Sequence, residues 1–209
     1  MQDEEREKNM CTIKRFTLLA LSLALALGLM ACGSSGPDMP MEAVIDGHTI
    51  TLGKTTMEDL RGWGYEVNSA GRQDAARDGD KYIYFMYSLN KGTGHQFWVS
   101  VYTPYYGGTN INKESSEASQ SGIVYSVSLS QSATEKIAAT YNGMDVKDMS
   151  FDTAKEWGAK EKEDASKVTW DMTIAQGSLR FEAENTSSEE MHTLRVTMSK
   201  SVFEKMQKG

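Results

Sequence analysis

The runs "KVTWDMTI" (167–174) and "SLRFEAE" (178–184) carry the clearest pattern in the chain. Val168, Trp170, Met172 and, in the second run, Leu179, Phe181, Ala183 are expected to point one way. Thr169, Asp171, Thr173 and Arg180, Glu182, Glu184 are expected to point the other. A period of two is the pleat of a strand. Apolar residues on one side and polar ones on the other predict an antiparallel sheet with one buried and one wet face.

Working outward, a third strand-like run, "HTLRVTMS" (192–199), follows these two. Upstream, "SFDTAKEWG" reads as a helix, with Ser150 as N-cap and Phe151, Ala154 and Trp157 on one face. Before it, "ATYNGMDV" places Asn142-Gly143 between two short runs, and Asx-Gly is the strongest short hairpin signal. The same order occurs earlier. "AVIDGHTITLG" turns at Asp46-Gly47, and "TTMEDLRGWG" has Thr55 and Glu58 at capping-box spacing, with Met57 and Leu60 on one face. Then come "YIYFMYS" (82–88), "HQFWVSVYT" (95–103) and "GIVYSVSLS" (122–130). Aligning Trp63-Gly64 with Trp157-Gly158 pairs the two helices, each ended by a Gly in the left-handed cap. The tails "VSLSQSATEKI" and "VTMSKSVFEKM" share Ser, Ser, Glu and Lys at equal spacings.

This agreement predicts a tandem duplication. The expected fold is α+β, built as two tandem hairpin–helix–three-stranded antiparallel sheet repeats, residues 42–137 and 138–209, each meander covered by its helix. The element order resembles that of the β-lactamase inhibitory protein and of BamE-like envelope lipoproteins, which pack helices on one face of a small antiparallel sheet. "TLGKTTMEDLRGWGYEV" is similar to a segment found in uncharacterised lipoproteins of Gram-positive bacteria. These resemblances transfer no functional residue.

By the phase of the second copy, the first copy buries Tyr82, Tyr84, Met86 with Phe97, Val99, Val101 and Ile123, Tyr125, Val127. Its other face then carries Ile83, Phe85, Tyr87, Trp98 and Tyr102, large side chains that water does not suit. Such a face either packs on the other copy or on a second chain as a homodimer, or receives a ligand. Tyr105 and Tyr106, in "YTPYYGG", lie in the loop beside it. The candidate binding residues are therefore Phe85, Tyr87, Trp98, Tyr102, Tyr105 and Tyr106. Tyr and Trp suit recognition because they offer area and a polar tip at low entropic cost.

At the other end of the chain, "FTLLALSLALALGL" (16–29) is an apolar run of signal-peptide length, too short to span a bilayer, preceded by Lys14 and Arg15. The acids of "MQDEERE" make a poor leader, and Met10 offers a second start. The run ends Leu29-Met30-Ala31-Cys32 before the Gly/Ser/Pro stretch "GSSGPDMP". This resembles the lipobox of bacterial lipoproteins, with Met30 where smaller residues are commoner. The resemblance implies cleavage after residue 31, a diacylglycerol on Cys32, and residues 32–41 as the lipidated Cys and tether. Two or three acyl chains give a lasting anchor where one is marginal.

The whole chain of 209 residues carries a net charge of −7. That argues against nucleic acid, whose phosphates need Lys and Arg. The two cysteines, Cys11 and Cys32, form no CxxC pair and lie near no His at zinc spacing. His48, His95 and His192 sit at turns and strand starts, outside any metal motif, so no metal or cofactor is expected. Ser88-Leu89-Asn90-Lys91 superficially matches SxxK, but it runs from a strand end into a Gly-rich loop. "DAARDGDKY" (74–82) lacks EF-hand order, and "NKESSEASQSG" (112–122) reads as a polar loop. The expectation is a lipid-anchored extracytoplasmic binding protein without catalysis, offering an aromatic sheet face to an envelope protein or glycan. The rival is a small envelope enzyme, such as a cell-wall hydrolase, whose groups converge only in three dimensions.

Overall fold

Asp46 and Asn142 both take φ 50°, and the glycines after them, Gly47 and Gly143, take 78° and 76°. Positive φ at both central residues is what a type I′ turn demands. The first turn joins β1 (Glu42–Ile45) to β2 (His48–Thr51), and the second joins β7 (Ala139–Tyr141) to β8 (Met144–Asp145). The computed structural model describes residues 36–73, 81–92, 97–105, 111–134, 137–162, 167–184 and 190–208, which belong to one compact unit, Ser34–Gly209. The segments 1–35, 74–80, 93–96 and 106–110 lie outside the described residues, and with them Cys11, Cys32, His95, Tyr106 and the acids of 74–80.

The two hairpins do not belong to separate modules. β1 pairs with β7 through Val44↔Thr140 and Ile45↔Ala139, so the four strands form one sheet in the order β2-β1-β7-β8. A second, eight-stranded antiparallel sheet is built from β3 (Glu66–Gln73), β4 (Tyr82–Asn90), β5 (Phe97–Pro104), β6 (Ile123–Ser130), β9 (Lys160–Lys162), β10 (Thr169–Ile174), β11 (Gly177–Ala183) and β12 (Met191–Met198). Its order is β3-β4-β5-β6-β12-β11-β10-β9.

The expected α+β fold of two hairpin–helix–three-stranded repeats is therefore overturned. The described chain is mostly β, and its strands merge across the expected boundary at residues 137/138. Pairing β6 with β12, through Leu194↔Leu129 and Val196↔Val127, removes two edges that separate meanders would leave open. Each half of the large sheet also contributes a fourth strand, β3 or β9, that the three-strand reading omits.

The helices are short and well capped. Thr56 caps α1 (Met57–Gly62) in a capping box with Asp59, one residue later than the spacing of Thr55 and Glu58 suggests. Ser150 caps α4 (Phe151–Glu156), reciprocated by Thr153. Gly64 and Gly158, at φ 89° and 92°, end these two helices in the left-handed conformation. The polar stretch read as a loop is α2 (Ile111–Ser121), with Ala118 wholly buried. After β6 and β12 come α3 (Gln131–Thr134) and α5 (Lys200–Met206).

One face of the large sheet supplies the core. Phe97, Val99, Val101, Val127, Leu129, Leu179, Phe181, Leu194 and Val196 are buried there with Met57, Leu60 and Ala154 of the helices and Ile45, Ile50 and Ala139 of the small sheet. Within β4 the expected phase is inverted. Phe85 pairs with Val101, Tyr87 with Val99 and Leu89 with Phe97, so Ile83, Phe85 and Tyr87 face the core, while Tyr82, Tyr84 and Met86 lie on the opposite side. α2 packs on β4 and β5, and the Tyr87 hydroxyl donates to the Ser115 carbonyl oxygen of that helix at 3.1 Å.

Candidate functional site

Opposite the core lies the second face of the eight-stranded sheet, and register sets what it displays. Trp98 of β5 stands against Ser128 of β6, Ser128 against Arg195 of β12, Arg195 against Arg180 of β11, Arg180 against Asp171 of β10, and Asp171 against Lys160 of β9. Directly paired residues point the same way, so these side chains form one row across the strands. One neighbouring row carries Met86, Ser100, Ser126, Thr197 and Ser178; the other carries Ser130, Thr193, Glu182, Thr169 and Lys162.

On β4, β5 and β6 this face is a groove of about 410 Å³, lined by Tyr84, Met86, Trp98, Tyr125, Ser128 and Arg195, among others. Tyr125 sits at a bulge, where Ser100↔Ser126 is followed by Val101↔Val124. Its ring stacks on Tyr102 at 3.9 Å and lies 6.0 Å from Tyr84. α5 covers this end of the face, Phe203 lying 4.6 Å from Tyr102 and 5.1 Å from Tyr82. Trp98, Tyr84 and Met86 remain partly exposed. The Ser126 hydroxyl donates to the Val196 carbonyl oxygen at 3.0 Å and lies 2.8 Å from Thr197 Oγ1, so the bottom of the groove is held by polar links between β6 and β12.

On β9 to β12 the face is charged. Arg180 donates to both oxygens of Asp171, at 2.7 and 2.9 Å, the planar fork that guanidinium makes with carboxylate. Glu182 is 4% exposed and is ringed by Lys167, Arg180 at 3.9 Å and Arg195 at 3.6 Å. Lys162 approaches Asp171 at 3.7 Å. The arrangement can stack a planar or ring-shaped group at one end and pair anions at the other.

The sequence-derived candidates divide accordingly. Trp98 lies in the groove. Tyr102 is on the same face but 8% exposed beneath Phe203 and Tyr125. Phe85 and Tyr87, 5% and 2% exposed, are core residues under α2, so they cannot meet a partner without unfolding. Tyr105 packs partly buried against the core, its N–H donating to the Lys81 carbonyl oxygen. Tyr84, Met86, Tyr125 and Arg195 line the groove without being among the sequence-derived candidates, and the signal for Tyr84 and Met86 lay in the pairing of β4 with β5.

Elsewhere, a wider depression of about 640 Å³ lies between α4, β10 and Lys147–Met149, but its lysines Lys147 and Lys155 are paired with Asp145 and Asp152. His48 stacks on Trp63 at 4.7 Å, and His192 Nε2 lies 3.0 Å from Ser130 Oγ. Ser88 is buried within β4. Among the described residues, no group of three or more His, Cys, Asp or Glu is placed to hold a metal ion, and no helix is long and apolar enough to cross a membrane. Comparisons with protein-family models, curated protein sequences and solved structures returned no match.

Proposed function

We propose that this chain is a lipid-anchored extracytoplasmic binding protein without chemistry of its own, and that its partner, a protein or glycan of the cell envelope, docks on the open face of the large sheet. The observation that carries the reading is the groove around Trp98. A large, partly exposed aromatic there has Tyr84, Met86 and Tyr125 beside it, on a face that α5 covers at the Tyr82–Tyr102 end. Rigid strands hold these side chains, so little ordering entropy is lost on contact. The anchor rests on sequence: the resemblance of Leu29-Met30-Ala31-Cys32 to a lipobox implies acyl chains on Cys32 and a tether over residues 32–41.

The test compares retention of envelope extract by the full-length protein in detergent with retention by Trp98→Ala, which leaves the core intact. Loss of retention with an unchanged melting transition supports the reading, and undiminished retention removes it. Mass spectrometry of the mature N-terminus tests the anchor separately; an unmodified start elsewhere would refute it.

A further inference from the structure

The charge on the open face runs against that of the chain. Lys160, Lys162, Lys167, Arg180 and Arg195 lie on it at or beside β9 to β12, against the carboxylates of Asp171 and Glu182. Among the described residues, even with Glu184 and Glu190, exposed just past β11 and just before β12, cations lead by five to four in a protein whose net charge is −7. Lysine on an edge strand such as β9 also deters sheet-to-sheet pairing. Arg180 and Arg195 lie inside the sheet, where that explanation does not reach them.

Three features meet in register. Trp98, an aromatic platform, opens the row on β5; hydroxyls of Ser100, Ser128 and Thr197 flank its middle; Arg195, Arg180 and Lys160 extend it, with Asp171 between the last two held by the Arg180 fork. From β5 to β9 the row crosses five inter-strand steps, about 24 Å at the usual strand spacing. We infer that the occupant is an acidic polysaccharide laid across the strands, a sugar ring stacked on Trp98 and its carboxylate or phosphate groups paired with Arg195 and the lysines of β9. This rests on the docking face proposed above and names the partner's chemistry. Ser and Lys are depleted in protein–protein interfaces, whereas both are prominent here. Arg195 reaches Glu182 only at 3.6 Å, longer than a hydrogen bond, so its fork retains donors suited to an incoming anion.

The experiment is calorimetric titration of the full-length protein in detergent with polygalacturonate, a phosphate-linked hexose polymer, neutral dextran and polyaspartate. Wild type should bind an acidic polymer, carboxylate or phosphate, and not dextran. Trp98→Ala should weaken that binding about tenfold, the scale of a central aromatic contact. The double variant Lys160→Gln/Lys162→Gln should weaken it several-fold at low salt, with the gap closing at high salt. Polyaspartate should bind more weakly than the sugar polymers and be indifferent to Trp98→Ala. Equal binding of dextran, equal Trp98 dependence for polyaspartate, or no binding of either acidic sugar polymer would overturn the inference. In the last case, envelope retention that still depends on Trp98 would leave the docking face standing with a protein as its occupant.

Discussion

Arg180 and Arg195 stand directly opposite each other across the β11–β12 ladder, with Glu182 within 3.9 Å of the first and 3.6 Å of the second. Like charges facing across a ladder repel, and the carboxylates of Glu182 and Asp171 are what make the pairing tolerable. Glu182→Gln would leave Arg180, Arg195 and Lys167 crowded about a neutral amide. Breaking a fully buried ion pair costs about 3–5 kcal/mol. Here the cations are about a third exposed and partly screened, so a loss of about 2 kcal/mol is expected. A lowered urea midpoint with unchanged slope would show it; an unchanged midpoint would mean the cluster is fully solvated.

Two glycines should respond differently to the same substitution. A Cβ on Gly143 meets open space, so Gly143→Ala incurs only the strain of φ 76°, about 1 kcal/mol. A Cβ on Gly177 would lie 1.9 Å from the Thr197 carbonyl oxygen, in the backbone of the paired strand. Gly177→Ala should cost about 3 kcal/mol or push β11 away from β12. Thermal melts of the two variants give the order directly.

α2 should be what keeps Phe85 and Tyr87 from water. Ala118→Asp introduces a carboxylate at a wholly buried position on that helix. Detachment of α2, a loss of about 2 kcal/mol or more, and increased binding of a hydrophobic dye are expected. Dye binding equal to wild type would argue against α2 as the cover.

Alkali should weaken the fold through its buried phenols. Burial pushes Tyr65, Tyr87 and Tyr141 above the ordinary value of 10.0, and for Tyr65 the charge of Asp46, its hydrogen-bond partner at 3.1 Å, adds to this. Below pH 10 both states keep these protons, and the three phenols add no pH dependence to stability. Above it the unfolded chain releases them while the folded one retains them, so stability falls as pH rises. Denaturant titrations on either side of pH 10 should show the decline, and Tyr65→Phe with Tyr141→Phe should reduce it.

Strong local signals were legible in the sequence. The Asx-Gly turns, the Ser150 cap and the alternation of β10 and β11 all depend on short-range chemistry. β9 was not legible, because "KEK" is an exposed edge strand with no apolar period to detect. α2 carries little apolar surface beyond Ala118, so composition made it look like a loop. The inverted phase of β4 has the same root. "YIYFMYS" is apolar at both parities, and only its register with β5 decides which parity is buried. That ambiguity placed Phe85 and Tyr87 among the candidate contacts and left out Tyr84 and Met86.

The central claim, that partners meet the open face of the large sheet, is tested most directly by site-specific cross-linking in cells producing the protein. A photoreactive amino acid would replace Met86, on that face, or Ser116, exposed on α2 across the core. The account predicts adducts from position 86 that vanish with Trp98→Ala, and none from position 116. Adducts from 116 with none from 86 would contradict it.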